Sequence, residues 1–311
     1  MNNSKRRTGR LRGAVGLGPA FLAGALIAGA SWLKRKESTK ALARFHGARL
    51  HDLLHSYFYF RWNATYLKPV KYILEHPEKF PKRIYMGAGR RLMQTHHSKV
   101  VSTGTARRLV GIEEPVRMSN SEQVLPFERA RDIILENPGC IAVTGCACRK
   151  IADDPCGPLD VCLVLGEPFV SFVVEHQKDG ARRIDSGEAL AILEREHERG
   201  RVHTAWFKDA AGDRLYSICN CCSCCCLGIH ALSHGFDVVA SSGYVAQVDD
   251  AECVLCEECL DACHFGALSV TDAVEIDTDK CMGCGVCVSE CPEDAITLYE
   301  DTAKAHPLLL L

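Results

Sequence analysis

The C-terminal part of the chain contains one cysteine spacing twice. Both copies read C-x2-C-x2-C-x3-C: Cys253, Cys256, Cys259 and Cys263, then Cys281, Cys284, Cys287 and Cys291. The copies align at an offset of 28 residues, which also superimposes Ala267 on Ala295. Steps of two residues let the thiolates of a tight loop converge on one metal centre. An internal repeat of this length predicts two pseudo-symmetric halves around a shared core.

Zinc is the competing ligand for such cysteines, since paired C-x2-C steps also bind it. Zinc takes four thiolates in two pairs, whereas a third C-x2 step with a remote fourth cysteine suits an iron–sulfur cube better. Residues 244–300 resemble the bacterial two-cluster ferredoxins, which are small electron carriers. In one respect the chain departs from that family: Pro292 follows Cys291 as expected, but His264 follows Cys263.

The resemblance implies two 4Fe-4S clusters with crossed ligands, because the fourth cysteine of each run reaches the other cube. Cluster one would take Cys253, Cys256, Cys259 and Cys291, and cluster two would take Cys281, Cys284, Cys287 and Cys263. We therefore expect residues 244–311 to form a ferredoxin domain.

The cysteine content of the chain argues against a disulfide framework. The total of 19 is odd, and vicinal pairs such as Cys221 and Cys222 are present. Metal-bound thiolates in a reducing compartment explain this usage better, which predicts assembly in the cytoplasm.

The net charge of −2 conceals a strong asymmetry. Residues 1–110 hold 22 Lys and Arg against 4 Asp and Glu, whereas residues 111–311 hold 15 against 35. The acidic C-terminal part suits a basic redox partner protein, and the basic N-terminal part suits anionic lipid. Nucleic acid is disfavoured, since the sequence lacks an RNP, zinc-finger or helix-turn-helix signature.

Residues 1–36 form a basic and apolar leader. The stretch 14–33 is uncharged and just long enough to cross a bilayer, yet it is rich in Gly and Ala. Three interpretations remain open: a membrane anchor, a small-residue helix within or on the protein, and a twin-arginine export signal beginning at Arg6 and Arg7. We expect membrane association, with export as the alternative.

Residues 37–110 are predicted to be a basic helical region with clustered aromatic side chains at 57–66. Such a segment either binds a membrane interface or packs as a helical hairpin on its own protein.

Residues 111–243 alternate between short apolar runs and turns, which predicts a compact α+β domain. Helices are expected at 126–139 and after a cap at Asp185 or Ser186, ending by Gly200. Strands are expected at 140–144 and 170–174, and a hairpin is expected from 202–207 and 214–218. The whole chain is therefore assigned to the α+β class.

A second set of cysteines lies in this middle domain. Cys140 stands apart and is expected to be a buried small hydrophobe. The other ten are Cys146, Cys148, Cys156, Cys162, Cys219, Cys221, Cys222, Cys224, Cys225 and Cys226. Six thiols within the eight residues of CNCCSCCC would oxidise readily unless a metal held them.

We expect the two groups of cysteines to fold together and bind one or two additional iron–sulfur clusters, with zinc or a redox disulfide as alternatives. Arg149, beside Cys148, is a candidate hydrogen-bond donor to a cluster sulfur. The pairing of CACR with CNCCSCCC ahead of a ferredoxin module also resembles uncharacterised iron–sulfur proteins of anaerobic bacteria.

Two functional classes follow from this pattern. The first is an electron-transfer protein that passes single electrons between partners, and it is favoured because no dinucleotide fingerprint, P-loop or nucleophile triad is present. The second is an iron–sulfur oxidoreductase whose CNCCSCCC segment binds a substrate or works as a redox thiol site. Catalytic residues are not assigned, and the enzyme class stays open.

Overall fold

The computed structural model describes residues 36–112, 116–119, 134–135, 139–177 and 180–310. Its first part contains α1 (Glu37–His46), α2 (Leu50–Arg61), α3 (Asn63–Glu75), a 3-10 turn (Pro77–Lys79), α4 (Lys82–Thr95), β1 (His96–Val100) and α5 (Thr103–Gly111). The predicted segment 14–33 lies outside the described residues. No helix within the described ranges is long and apolar enough to cross a bilayer.

The middle of the chain alternates between strands and short helices. It contains β2 (Val116–Ser119), β3 (Ile134–Leu135), β4 (Ile141–Gly145), α6 (Ala147–Ile151), β5 (Asp160–Leu165), α7 (Phe169–His176), β6 (Arg182–Ile184), α8 (Ser186–His197), β7 (Val202–Lys208), a 3-10 turn (Asp209–Ala211), β8 (Arg214–Cys221), α9 (Leu227–Ser233) and β9 (Val239–Ala240). The chain is thus of the α+β class.

The C-terminal part is built from β10 (Tyr244–Val248), α10 (Glu258–Ala262), β11 (Leu268–Val270), β12 (Val274–Ile276), α11 (Val286–Ser289), β13 (Ile296–Glu300) and β14 (Leu309–Leu310). Here β10 pairs with β13 and β11 pairs with β12, both antiparallel. One short helix follows the cysteine loop of each repeat, as the 28-residue offset predicts.

A seven-stranded sheet organises the rest of the molecule, in the order β6-β4-β5-β8-β7-β1-β9. Its pairs are antiparallel except for β1 and β9. The strand β1 comes from the region predicted to be helical throughout, and His96 pairs with Lys208 of β7. The sheet of the middle domain therefore includes residues from before 110.

Helices cover both faces of this sheet. On one face, Leu109 of α5 and Leu193 of α8 pack against strand residues such as Val143. On the other, Phe60 of α2 and Phe172 of α7 pack against β4, β5 and β8. The aromatic cluster at 57–66 thus contributes to the core, although Phe58 and Trp62 remain exposed.

The predicted hairpin and the capped helix are both confirmed. Strands β7 and β8 pair from Val202 with Cys221 to Lys208 with Arg214. Helix α8 begins after Asp185, whose carboxylate accepts a hydrogen bond from the backbone N–H of Glu188 at 2.7 Å.

The predicted strand at 170–174 is wrong, because this segment lies within helix α7. Its buried residues Phe169, Phe172, Val173 and His176 follow the i, i+3, i+4, i+7 period of a helix. A short apolar run that is β-branched resembles a strand locally, and the packing against the sheet decides otherwise. Of the helix predicted at 126–139, the structure describes Ile134–Leu135, as a strand, and Gly139; the remainder lies outside the described residues.

Candidate metal centres

The two cysteine loops of the C-terminal domain share one backbone pattern. Residues with a left-handed conformation recur at the 28-residue offset: Leu255 and Gly283, Glu257 and Gly285, Gly266 and Asp294. When right-handed and left-handed backbone conformations alternate in this way, successive N–H groups point towards the inside of the loop. Such a loop suits an anionic centre. Both loops therefore have a shape suited to an iron–sulfur cluster.

The eight cysteines of these loops line two separate cavities. The first has a volume of about 330 Å³ and is lined by Cys253, Cys256, Cys259 and Cys291. The second, of about 370 Å³, is lined by Cys263, Cys281, Cys284 and Cys287. The fourth cysteine of each run lies with the first three of the other run, which is the grouping that the sequence predicts.

The ten remaining middle-domain cysteines lie together, as predicted. Strand β5 runs antiparallel to both β4 and β8, so the end of β4, the start of β5 and the end of β8 meet at one edge of the sheet. Cys146 follows β4, Cys162 lies near the start of β5, and Cys219 and Cys221 lie near the end of β8. The antiparallel topology thus brings distant cysteines together.

These thiols divide into two groups. Cys156, Cys222, Cys224 and Cys225, the four-thiol group, have sulfur atoms within 4.8 Å of one another. The six-thiol group is a connected series in which each thiol hydrogen-bonds to the next: Cys219, Cys162, Cys146, Cys148, Cys226 and Cys221. The six-thiol group lines an apolar cavity of about 1010 Å³, a volume that includes space open to solvent, and Cys222 and Cys225 line it too.

Cys140 belongs to neither group. It is half-buried, and its sulfur contacts Glu167 Oε1 at 3.2 Å and Arg183 Nη1 at 2.8 Å. The expectation of a simple buried hydrophobe is therefore wrong, because the thiol lies in a polar hydrogen-bond network.

Comparison with known protein families identifies one segment of the C-terminal part. Residues 274–297 match the 4Fe-4S binding domain. The C-terminal part of the chain is a 4Fe-4S ferredoxin domain.

Similar proteins are components of redox complexes. One component of the ion-translocating oxidoreductase complex of Methanosarcina acetivorans is 44% identical over 55 residues, covering 17% of this chain and 21% of that protein. The PorD component of pyruvate synthase from Methanocaldococcus jannaschii is 42% identical over 52 residues, covering 16% of this chain and 60% of that protein.

A third relative is a component of the NADH-quinone oxidoreductase of Pelobacter propionicus, which is 34% identical over 65 residues, covering 16% of this chain and 35% of that protein. The similarity thus spans about a fifth to three fifths of these three relatives. Together with the family match, it supports iron–sulfur binding by this chain.

Burial affects the protonation of the ferredoxin thiols. It raises the pKa of Cys284 to about 12 and also raises that of Cys259. Such thiols are neutral at pH 7 unless a bound cation stabilises the thiolate. The buried cysteines therefore fit a metal cluster better than they fit a set of free thiolates.

His264 joins the ferredoxin domain to the four-thiol group. Its Nδ1 accepts a hydrogen bond from the backbone N–H of Ser223 at 3.2 Å, and its Nε2 donates to the carbonyl oxygen of Gly200 at 2.7 Å. Ser223 lies between Cys222 and Cys224, and His264 follows Cys263 directly. The residue that replaces the family's proline thus links two cysteine sites, a contact that the sequence analysis missed.

Arg149 is almost fully buried at the predicted position beside the thiols. Its Nη2 donates to Glu196 Oε2 at 2.9 Å and to the carbonyl oxygen of Asn220 at 3.0 Å, and its Nη1 donates to the carbonyl oxygen of Pro158. Its Nε has no partner among the described residues. An unsatisfied buried donor next to Cys148 fits a sulfur acceptor, as expected for a residue that supports a cluster.

Proposed function

We propose that this protein passes single electrons through two 4Fe-4S clusters of the ferredoxin domain and on to at least one further cluster in the middle domain. Cluster one would be held by the cysteines of the 330 Å³ cavity and cluster two by those of the 370 Å³ cavity. When bound, such clusters supply one-electron redox chemistry. The acidic C-terminal part favours a basic redox partner protein.

The packing of the two domains carries this proposal. Met282 and Val286, from the loop of cluster two, share a buried apolar cluster with Cys221 and Cys226 of the six-thiol group. His264 adds a hydrogen-bonded link from Cys263 to the four-thiol group. Cys284, a ligand of cluster two, also packs against this apolar cluster.

The loop of cluster one is exposed to solvent. Cys256 is exposed, and the neighbouring Val254 and Leu255 are 61% and 44% exposed. An apolar patch around an exposed ligand is a suitable docking surface for a redox partner. We infer the order partner, cluster one, cluster two, middle domain.

The four-thiol group has an alternative occupant. Neighbouring sulfur atoms lie 3.2 to 3.7 Å apart, for instance 3.2 Å from Cys222 to Cys224. The tetrahedral Zn–S distance of about 2.3 Å corresponds to sulfur atoms about 3.8 Å apart. A single tetrathiolate ion therefore suits these four cysteines, which would leave the six-thiol group as the site for the cluster.

The test is to measure iron, acid-labile sulfide and zinc per chain in anaerobically purified full-length variants. Changing Cys222 and Cys225 to Ser tests the four-thiol group, and changing Cys146 and Cys162 to Ser tests the six-thiol group. Cys140→Ser is the matched control, since its thiol lies outside both groups.

We expect the native chain to hold about eight iron atoms in the ferredoxin domain and more elsewhere. The six-thiol variant should lose only the additional iron. If both double variants keep the metal content of the Cys140 control, the middle domain is not a cluster site. If the four-thiol variant loses zinc alone, that group is a zinc site.

The alternative function, an iron–sulfur oxidoreductase with a substrate or redox thiol site near CNCCSCCC, is favoured by one observation. The cavity beside the six-thiol group has about 110 Å³ free to hold a molecule, against about 20 Å³ in each ferredoxin cavity. EPR spectra of the anaerobically reduced protein discriminate between the two functions, since the signals of a pure carrier do not respond to small molecules.

We also propose membrane association through residues 1–36, on the basis of the uncharged stretch 14–33 within a basic front. Full-length protein should partition with anionic vesicles, and deletion of residues 1–36 should weaken this. Release by salt would indicate surface charge alone, and a need for detergent would indicate insertion. Full-length protein that stays in solution at low salt would refute the proposal.

A further inference from the structure

The cavity beside the six-thiol group is also lined by aromatic side chains, and this part of it is called the aromatic end below. Its wall there includes Tyr59 and Phe60 of α2, Trp206 of β7 and Tyr216 of β8. Its total volume of about 1010 Å³ includes space open to solvent, and about 110 Å³ of it is free to hold a molecule, against about 20 Å³ in the 370 Å³ ferredoxin cavity. An apolar cavity of about 150 Å³ is large enough to bind benzene, and apolar walls with a few polar groups are usual in sites of small organic ligands.

Most polar groups of this end already have partners. The hydroxyls of Tyr59 and Tyr216 bond to each other, and Trp206 Nε1 donates to Thr204 Oγ1 at 2.8 Å. Arg149, which also lines the cavity, is paired with Glu196. The aromatic end therefore offers little to a charged molecule.

Arg149 Nε, beside Cys148, has no partner among the described residues, and His96 is the other exception. It lines the cavity and is buried, and its Nε2 has no hydrogen-bond partner among the described residues. The Thr95 hydroxyl donates to the carbonyl oxygen of Arg91 at 2.9 Å, so its oxygen accepts from His96 Nδ1 at 3.1 Å. With the proton on Nδ1, the free Nε2 is a hydrogen-bond acceptor.

We propose that this end of the cavity binds a neutral, mainly aromatic or apolar molecule with one hydrogen-bond donor, which is held by His96 Nε2 beside the six-thiol group. A buried acceptor without a partner is unfavourable in the free protein, and a donor from the ligand removes that penalty. This inference rests on the proposed function in one respect, namely that the six-thiol group holds an iron–sulfur cluster.

The test uses phenol as the probe and toluene as its matched control, since toluene has a similar ring and no donor. Binding to anaerobically purified full-length protein is measured by titration calorimetry. We expect phenol to bind about fivefold more tightly than toluene, as one net hydrogen bond predicts. Equal affinities for phenol and toluene would overturn the proposal. No binding of either probe would also overturn it, and would mean that the bound centre fills the cavity.

Two variants locate the effect. His96→Phe keeps an aromatic ring and should remove the preference for phenol. His203→Phe is the control, because His203 is also buried with an unpartnered Nε2 among the described residues but does not line the cavity, and this variant should keep the preference. A phenol preference that is kept in His96→Phe and lost in His203→Phe would refute the role of His96. If one variant fails to fold, the comparison of phenol with toluene on the native chain still tests the proposal.

Iron content of the same samples separates this inference from the proposed function. A preference for phenol in protein whose middle domain lacks iron supports the ligand site and refutes the additional cluster. Full iron without binding refutes the ligand site and leaves electron transfer intact. Additional iron together with a preference for phenol supports both the cluster and the ligand site.

Discussion

Gly283 provides a sharp test of how the loop of cluster two is built. It lies between Cys281 and Cys284 with a φ of +62°, and a Cβ there would be 2.1 Å from the carbonyl oxygen of Tyr244 and 2.4 Å from Ser242 Oγ. Backbone atoms cannot rotate away as a side chain can. Gly283→Ala should therefore push the loop, and the ligand Cys284 with it, away from β10.

Gly266 is the matched control. It has a φ of +59° and lies in the same domain, three residues after Cys263, but nothing lies within 4 Å of a Cβ at that position. The left-handed conformation costs about 1–2 kcal/mol for alanine at either site. Ordinary van der Waals contact starts at 3.4 Å, so the alanine at 283 must also relieve an overlap of about 1.3 Å. Relieving this overlap should lower the stability of the fold by about 1–3 kcal/mol more, the usual cost of overpacking.

The assay compares both variants with the native protein under anaerobic conditions, by iron content and by thermal loss of the visible cluster absorbance. Gly266→Ala should keep its iron and melt slightly earlier. Gly283→Ala should melt earlier still and lose about four iron atoms, because one cube depends on the displaced loop. Equal melting and equal iron in the two variants would show that the close approach of Gly283 to Tyr244 is not what shapes the site.

Three further predictions concern other parts of the chain. Cys291→Ala should lose about four iron atoms and leave the cluster-one thiols open to alkylation while those of cluster two stay protected, as crossed ligation requires; the reverse labelling would contradict it. Arg149→Met should destabilise the protein by less than the about 3–5 kcal/mol of a fully broken buried pair, because buried Glu196 keeps Arg199 as a partner, and a second change, Glu196→Gln, should restore part of the melting temperature. Burial lowers the pKa of Lys99 to about 8. Between pH 8 and the ordinary pKa of 10.5 the unfolded chain then holds a proton that the folded chain has released, so Lys99 should make stability rise with pH by up to about 3 kcal/mol, and Lys99→Met should reduce the rise in a series of melting curves and leave the part due to Lys208, whose pKa burial also lowers.

The ferredoxin loops could be predicted because their chemistry is local. Ligands two residues apart share one turn of the backbone, and the 28-residue repeat supplies the second half. The cap at Asp185 and the hairpin of β7 and β8 could also be predicted, since neighbouring residues determine both. The α+β class followed from the same short-range patterns.

The tertiary structure decided what depends on distant residues. The strand predicted at 170–174 became helix α7 because the sheet accepts its buried face at a helical period. Cys156 meets Cys222 at 3.5 Å, although 66 positions separate them. The sequence predicted that the ten thiols would gather, but spacing alone could not divide them into groups of four and six. The antiparallel order of β4, β5 and β8 brings the thiols to one edge of the sheet, because a sheet joins strand ends regardless of their separation along the chain, and β1 places His96 in the same sheet.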